Sequence, residues 1–442
     1  MRINLTDNNI GLPDAGLFQR NDVAALFPIA DKTIAELCRE NENLLIFPFS
    51  IETSDDQVGD SSVMNIQNTD DPEKVRISTG NVMGFIGVGD LQIKIKSRFD
   101  TGRDDFLLHY MLQKVLSFNL FDLSHNNEQE DIFDFIMFMF PYFLKSALRQ
   151  GVYREYQNYR HNDANLKGTI DIGRHIARNI PFVGNIAYST REYSHDNNMT
   201  ELIRHTIEFM KTKKYGQAVL NIDKETIENV NTIIEHTPLY SKNDRGSVMS
   251  RNLRMKIHPY YTEYRPLQTL CMQILRMEEV KYGESDDEIC GILFDGAWLW
   301  EEYVNTILSN VGFAHPENKL HKGGIYLFDD HSGIRYPDFY KDDFVLDAKY
   351  KRLGSYDKVS KVDRDDVHQV IAYINALHAT RGGFVAPLEQ KQEKVPTSRL
   401  KDSSSTLSIF GVEISKAASS YADFCEKMQG MEEAFVESLN LK

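Results

Sequence analysis

The alternation of apolar and polar residues changes twice along the chain, and each change predicts a domain boundary. In residues 1–103 the dominant period is two: over 91–96, leucine and isoleucine alternate with glutamine and lysine, which is typical of a half-buried strand. Residues 104–280 carry apolar residues mainly at helical spacing. Residues 281–442 mix both patterns. The sequence therefore predicts a multidomain α/β (α+β) protein with an N-terminal β-rich domain, a mainly helical middle domain and a C-terminal α/β domain.

Local signals refine this division. The stretch 21–41 predicts one early helix, with Asn21 or Asp22 as its N-cap. Residues 52–74 are acidic and rich in turn formers, which predicts a loop or the tip of a long hairpin, and the polar stretch 281–288 predicts a linker. The C-terminal domain is expected to contain a helix at 297–310, strands near 324–328, 333–340 and 343–351, a helix at 364–379, two strands flanking a polar loop at 389–405, and a final helix.

Composition narrows the class of protein. With 442 residues, 41% of them hydrophobic and 26% charged, the chain has the composition of a globular protein of several domains. It has no apolar run long enough to span a bilayer and begins without a signal peptide, so we expect a cytoplasmic protein with no membrane contact. The four cysteines form no CxxC pair, which favours buried free thiols over a zinc site or a disulfide framework.

Charge is unevenly distributed. The net charge of −15 argues against sequence-blind coating of DNA, but a local basic surface is sufficient to hold a phosphate backbone. Residues 145–178 form such a basic segment, and a phosphate track and a solvated face are equally good interpretations of it. The glycine-rich stretch 84–90 lacks the GK[ST] ending of a P-loop, so any nucleotide-driven motor would be another chain.

The stretch 335–353, RYPDFYKDDFVLDAKYKRL, places charged residues at the end of a hydrophobic hairpin. With a turn at Lys341 and Asp342, Asp338 would lie diagonal to Asp347 on the face that also carries Lys349, and a bulge at the preceding proline would shift this register by one residue. Two carboxylates and one ammonium group would then lie close together on one face of the hairpin. These are the groups that Mg²⁺-assisted hydrolysis of a phosphodiester requires. The alternative is a surface hairpin with salt-bridged ends.

Two flanking helices contribute further polar residues. Glu301 lies in the predicted helix upstream, from which it would reach the carboxylates. Downstream, Gln369 and Tyr373 are partners four residues apart beside an apolar helix face, and would orient a phosphate or a water. His368 is expected to point to the other side and to have no catalytic role.

In this order, the residues resemble the PD-(D/E)xK nuclease core: a helix glutamate, Pro-Asp, Asp-Ala-Lys and Gln-x-x-x-Tyr. More narrowly, the stretches WLWEEYV, YPDF, LDAKYK and DVHQVIAYINAL resemble the C-terminal domain of the McrC family, the nuclease subunits of McrBC-type modification-dependent restriction systems. The likeness extends upstream through GFIGVGDLQIKIKSRF, VYREYQNYRHNDANLKGTIDIGRHI and REYSHDNNMTELIRHTI.

This resemblance implies a C-terminal restriction-endonuclease-like domain with a Mg²⁺-dependent active site. The implied site residues are Asp338, Asp347 and Ala348 at the metal, Lys349 as the catalytic lysine, and Glu301 and Gln369 as supporting groups. Glu302 stands beside Glu301 and is an equal candidate for the helix glutamate.

The resemblance also implies partners. These are a hexameric AAA+ GTPase of the McrB type, which the chain would bind through its N-terminal and middle domains and stimulate, and double-stranded, modified DNA. Two alternatives are a stand-alone PD-(D/E)xK nuclease of the repair or resolvase type and an adaptor that mainly activates the GTPase. The intact Asp-Asp-Lys set argues against a lost nuclease site.

Overall fold

The structure is a computed structural model of the chain. It describes residues 2–10, 16–41, 44–47, 61–88, 91–100, 105–116, 131–213, 215–254, 258–281, 289–316 and 323–441. The predicted linker at 281–288 lies almost entirely outside the described residues, as does the first half of the predicted loop at 52–74. The predicted mixed α/β class is confirmed, since helices and several sheets alternate along the chain.

The strands follow in chain order. They are β1 (Arg2–Thr6), β2 (Leu17–Gln19), β3 (Leu44–Phe47), β4 (Met64–Asn68), β5 (Lys74–Thr79), β6 (Val82–Val88), β7 (Leu91–Lys96), β8 (Glu155–Asp163), β9 (Thr169–Ile170), β10 (Ile186–Ser194), β11 (Ile289–Asp295), β12 (Ile325–Tyr326), β13 (Ile334–Arg335), β14 (Phe339–Lys341), β15 (Phe344–Ala348), β16 (Arg381–Leu388), β17 (Thr397–Arg399) and β18 (Thr406–Glu413).

The α-helices follow in the same way. They are α1 (Ile34–Glu40), α2 (Phe106–Leu116), α3 (Asp131–Arg149), α4 (Ile172–Asn179), α5 (Asn198–Met210), α6 (Gly216–Leu220), α7 (Lys224–His236), α8 (Arg245–Arg251), α9 (Tyr264–Lys281), α10 (Gly296–Leu308), α11 (Arg364–Ala376) and α12 (Tyr421–Ser438).

The contacts divide the chain differently from the three predicted domains. One compact unit consists of residues 1–124 and 285–442, and the other of residues 125–284. The first and last predicted domains share a unit because β11, from the C-terminal part, lies inside the N-terminal sheet, whose strand order is β1-β7-β6-β11-β3. It pairs antiparallel with β6 and parallel with β3. Strand pairing over more than 200 residues of sequence leaves no local signal, so the periodicity did not reveal it.

One local prediction for the N-terminal part is wrong. The stretch 21–41 is not one helix: a 3₁₀ helix over Arg20–Leu26 is followed by α1, which begins after Thr33. Thr33 and Glu36 form a capping box, which favours this later start. In the stretch 52–74, the alternative of a hairpin fits the described residues: β4 pairs antiparallel with β5 in a small sheet, β2-β5-β4, and residues 69–73 connect the two strands.

The second sheet of this unit carries the charged hairpin. Its order is β14-β15-β16-β18-β17, with β15, β16 and β18 parallel to one another. Parallel neighbours need a crossover connection, and α11 supplies it between β15 and β16. Buried apolar residues of strands and helix form the core on this side, among them Val345, Val370, Phe384 and Ile409. Most of the predicted C-terminal elements are present, and the strand β17 is added inside the predicted loop at 389–405. The predicted strand at 333–340 is instead two short strands: β13 pairs with β12 in a separate sheet, and β14 pairs with β15.

The second unit, residues 125–284, is not wholly helical. Helices α3 and α5–α9 lie beside a three-stranded antiparallel sheet of order β8-β10-β9. Several basic residues of the segment 145–178 are already paired with carboxylates: Lys145 contacts Asp223 at 2.5 Å, Arg149 contacts Glu225 at 3.6 Å, and Arg174 contacts Asp171 at 3.6 Å.

Two further expectations concern cysteines and membranes. Cys271 and Cys425 are buried free thiols, as predicted for these two residues. Among the helices of the described part of the chain, none combines the length and the apolar character needed to cross a bilayer.

Gly84 tests the pairing of β6 with β11. Its φ is +131°, and a Cβ there would lie 2.2 Å from the carbonyl oxygen of Ile292. Gly84→Ala is therefore expected to lower the free energy of unfolding by roughly 1–3 kcal/mol. Gly430→Ala, in α12 with no atom within 4 Å of its Cβ, is the matched control and is expected to add about 0.5–1 kcal/mol. If denaturant titrations gave Gly84→Ala and Gly430→Ala the same change in the free energy of unfolding, the pairing of β6 with β11 would be contradicted.

Candidate active site

The site begins with the register of the β14–β15 hairpin. Lys341 pairs with Phe344 and Phe339 pairs with Leu346, so the turn residues are Asp342 and Asp343, not Lys341 and Asp342 as predicted. Asp342 has φ +49°, a left-handed conformation that aspartate tolerates better than lysine does. The paired ladder ends at Phe339 and Leu346, and Asp338 and Asp347 are the next residue on each side, which the same register sets opposite each other. The charge of Asp338 is near enough to raise the pKa of Asp347, so the structure brings the two predicted carboxylates together in a register other than the predicted diagonal one.

Asp338 is anchored by the main chain opposite. Its Oδ2 accepts a hydrogen bond from the N–H of Ala348 at 2.7 Å. Burial raises the pKa of Asp338 well above its usual range, and the negative charge of Glu301 raises it further, while Lys349 opposes both. A carboxyl held in this way favours a neighbouring cation or a proton.

Asp347 is almost completely buried, with 1% of its side chain exposed. Its Oδ2 lies 2.8 Å from Lys349 Nζ, a charge-assisted contact, while its Oδ1 accepts no hydrogen bond from a described residue. Burial raises the pKa of Asp347 to about 7, and the charge of Asp338 contributes in the same direction, while Lys349 opposes both. A buried carboxylate with a single donor leaves acceptor capacity unused, so this position suits a further cationic ligand or a functional proton.

Lys349 lies at the centre of the polar cluster. Its Nζ is 2.8 Å from Asp347, 3.3 Å from Asp366 and 3.3 Å from Oε1 of Gln369, to which it donates. Burial lowers the pKa of Lys349, but the surrounding carboxylates outweigh burial and hold this pKa above its ordinary value. Its backbone N–H donates to the carbonyl of Val385 at 2.9 Å. The ammonium group is therefore charged and held by side-chain contacts, and the backbone of Lys349 is held by its hydrogen bond to Val385.

The helix α10 presents two glutamates to this cluster. His315 Nε2 lies 3.8 Å from Glu301 and 4.0 Å from Glu302, and its Nδ1 contacts the main-chain oxygen of Asp338 at 2.7 Å. Of the two, Glu301 is the one whose charge raises the pKa of Asp338. This proximity favours Glu301 as the helix glutamate of the site.

The helix α11 supplies the remaining polar groups. Gln369 Nε2 donates to Tyr373 Oη at 2.9 Å, as the four-residue spacing predicted, while its Oε1 accepts from Lys349. His368 is exposed. The amide of Gln369 therefore connects the lysine to a mostly buried tyrosine, and its orientation is set from both ends.

Sequence reasoning missed two residues of this cluster. Asp366 contacts both Lys349 and Lys351, the second at 2.5 Å, and lies one helical turn before Gln369. That spacing was visible in the sequence and placed Asp366 beside Gln369 on the same face. His315 left no such signal, because it reaches Asp338 from a separate loop.

The cluster contains few potential metal ligands. Within the described ranges, no group of three or more His, Cys, Asp or Glu side chains has the arrangement of a metal site. Magnesium, however, is commonly held by one or two carboxylates together with waters and substrate phosphates. The neighbouring carboxyls of Asp338 and Asp347, with Oδ1 of Asp347 accepting no hydrogen bond from a described residue, fit that mode of binding.

Comparison with protein families defines the class of the chain as a restriction-system component. The family model described as McrBC 5-methylcytosine restriction system component matches residues 77–387. The chain belongs to this family, and the resemblance predicted from its sequence is confirmed. No curated protein matches the sequence.

Two solved structures are similar to the chain. One is the refined half-complex from the tetradecameric assembly of Thermococcus gammatolerans McrB AAA+ hexamers with bound McrC, with 15% identity and a TM-score of 0.52 over 100% of this chain and 99% of that chain. The other is the cryo-EM structure of the Thermococcus gammatolerans McrBC complex, with 15% identity and a TM-score of 0.34 over 72% and 90% of the two chains. The first likeness shows a shared fold; the second is too low in TM-score to add to it.

The buried carboxyl of Asp347 generates a prediction about stability. Because its pKa of about 7 in the folded state lies above the ordinary value of 3.8, the protonated form stabilises the fold, and this contribution is lost as pH rises through about 7. In metal-free buffer, Asp347→Asn is therefore expected to raise the free energy of unfolding by about 1–3 kcal/mol at about pH 8 and by much less at about pH 5. The measurement is denaturant unfolding at both pH values.

The exposed Asp70 provides the control. Asp70→Asn is expected to change stability little at either pH. An Asp347→Asn variant that is destabilised at high pH would show that the ionised carboxylate is well satisfied, contrary to its contacts in the structure.

Proposed function

We propose that this chain is a McrC-type nuclease subunit that hydrolyses phosphodiester bonds of double-stranded, modified DNA with Mg²⁺, on a PD-(D/E)xK domain. The observation that carries the proposal is the register that sets Asp338 against Asp347 with the ammonium of Lys349 at 2.8 Å from the latter. Family membership supports the restriction-system context.

Each residue of the site has a distinct role in this proposal. Asp338 and Asp347 would hold Mg²⁺, and Ala348, which has no side-chain donor, would offer its main-chain carbonyl oxygen. Bound Mg²⁺ would supply Lewis-acid polarisation of the phosphate and lower the pKa of a coordinated water. Lys349 would orient the attacking water and stabilise the negative charge that develops on the phosphate.

The supporting residues act on these groups. Gln369 accepts from Lys349 and donates to Tyr373, so it would fix the direction of the ammonium. The negative charge of Glu301, which raises the pKa of Asp338, would also attract a metal cation to that carboxylate. Asp347 would exchange its proton, or its contact with Lys349, for the metal.

The partner follows from the family and from the chain's own chemistry. The sequence has no P-loop, so nucleotide hydrolysis would belong to another subunit. The similar solved structure contains McrB AAA+ hexamers with bound McrC. We propose by analogy that this chain binds and stimulates a hexameric AAA+ GTPase, which would bring DNA to an acidic subunit whose own affinity for DNA is weak.

Removal of the metal ligand or of the lysine tests the nuclease assignment. Asp347→Ala and Lys349→Ala are each expected to abolish Mg²⁺-dependent cleavage, a loss of at least about 100-fold, because each removes a group that acts on the reacting phosphate. The measurement is cleavage of linear methylated duplex DNA by the complex with the partner GTPase. Lys391→Ala, at an exposed loop lysine, is the matched control and should cut normally. Cleavage at a comparable rate by Asp347→Ala would refute the site.

A second prediction separates chemistry from assembly. Lys349 is mostly buried inside the site, with 17% of its side chain exposed, so Lys349→Ala is expected to preserve binding and stimulation of the GTPase while cleavage is lost. The partner's GTPase rate is measured with the wild-type chain, the variant and no added chain. The chain alone should hydrolyse neither GTP nor ATP. Loss of stimulation by the variant would mean that the two functions share this residue.

A further inference from the structure

We propose that Arg98 and Asp7, two buried residues at the ends of strands in the N-terminal sheet, are positioning residues for the proposed nuclease site. They would act through Tyr350, the residue that follows Lys349. This inference rests on the proposed function, because it concerns the placement of the proposed catalytic lysine.

Arg98 holds the chain where the regular ladder of β15 ends. The strand stops at Ala348, and the N–H of Lys349 donates to Val385 on one side. From the N-terminal sheet, the guanidinium group of Arg98 donates a short hydrogen bond to the carbonyl oxygen of Tyr350. Its Cζ also lies 4.5 Å from the centre of the Tyr350 ring. The main chain that carries the lysine is thus fixed from both of its flanks.

The ring of Tyr350 is itself enclosed by the N-terminal part of the chain. Its hydroxyl group is 2.6 Å from Oγ of Ser97, and its ring meets Phe99 edge-on with 5.0 Å between centroids. On the helix α10, Gly296 leaves room for the ring: a Cβ at this glycine would lie 2.8 Å from it. These contacts fix the position of Tyr350, and they thereby fix the main chain at the neighbouring Lys349.

Asp7 sets the orientation of Arg98. One oxygen of the Asp7 carboxylate accepts the backbone N–H of Arg98, and the other lies 3.4 Å from the guanidinium. Asn81 Oδ1 accepts from the same guanidinium at 3.0 Å. The Asp7 side chain is wholly buried, and 8% of the Arg98 side chain is exposed. Burial raises the pKa of Asp7 to about 7.

Such a pair is a poor way to stabilise a fold. Removing two charges from water costs about as much as their attraction returns. Replacing both partners by apolar residues of similar volume is often as stable, whereas removal of one partner alone is destabilising. The pair instead orients the guanidinium of Arg98. This planar group contacts Asp7, Asn81 and the Tyr350 carbonyl at the same time. We therefore assign its role to geometry at the end of β15 and not to stability.

The test compares Arg98→Met, Arg98→Lys and Asp7→Asn in the full chain with its GTPase partner. Single-turnover cleavage of methylated duplex DNA is measured with saturating protein and Mg²⁺, and DNA affinity is measured separately with Ca²⁺. Arg98→Met should lower the cleavage rate about 100-fold, the effect of a displacement of about 1 Å at a reacting group, with DNA affinity and GTPase stimulation unchanged. Arg98→Lys keeps the charge but not the planar fork and should recover part of the rate. Asp7→Asn should lose less than Arg98→Met.

The controls separate this inference from the proposed function. Arg39→Met, at an exposed arginine of the same unit, should cut at the wild-type rate. If Asp347→Ala abolishes cleavage while all three variants cut normally, the positioning role is refuted and the nuclease assignment stands. If Asp347→Ala cuts like the wild type, both are refuted.

Stability must be measured in parallel. Each variant loses one partner of a buried ion pair and is expected to melt at a lower temperature than the wild type. A graded loss of rate that exceeds the unfolded fraction of each variant at the assay temperature supports the inference. A loss of rate that matches the unfolded fraction of each variant would overturn it. Should Arg98→Met fail to fold, the comparison of Arg98→Lys and Asp7→Asn with the wild type decides, and wild-type rates in both would overturn the proposal.

Discussion

The repulsion between two facing carboxylates is the constraint on which the site depends. Asp338 and Asp347 lie one step beyond the last pair of a hairpin that turns at Asp342 and Asp343. Burial raises both pKa values; the charge of Asp338 raises that of Asp347 further, and the charge of Glu301 raises that of Asp338. Lys349 offsets this cost in the absence of another cation, and the proposed metal would offset it during catalysis. The surrounding contacts, from His315 to Gln369, hold this charged cluster in place.

The site is built from more of the chain than its C-terminal motifs. Strand β11 joins the N-terminal sheet, helix α10 follows it directly, and Trp300 on that helix donates to the same Val385 carbonyl that accepts from Lys349. The N-terminal sheet also reaches the end of β15 through Arg98. A fragment that begins at the predicted linker would therefore lack the neighbours of the β14–β15 hairpin.

This arrangement changes how the acidic character of the chain is understood. The net charge of the chain is −15, and several basic residues of the second unit are already ion-paired. Both features disfavour strong binding of DNA by this chain alone. A partner that holds and delivers the DNA would remove that requirement. The proposed assembly has one subunit that hydrolyses nucleotide and another that cleaves DNA. The sequence of this chain, with its two carboxylates and lysine and without a P-loop, agrees with the second role.

The sequence by itself determined the local features: the alternating strand β7, the capped and amphipathic helices of the C-terminal part, and the motif residues Asp338, Asp347, Lys349 and Gln369, since each depends on neighbours within a few positions. It also carried enough family likeness to predict membership, which the family model confirms. Only the tertiary structure decided the direct opposition of Asp338 and Asp347, because one residue of turn changes every pair in a hairpin. Likewise it decided the placement of β11, the contact of His315 with Asp338 and the reach of Arg98 to Tyr350, because pairings across tens to hundreds of residues are selected by packing and leave no period in the chain.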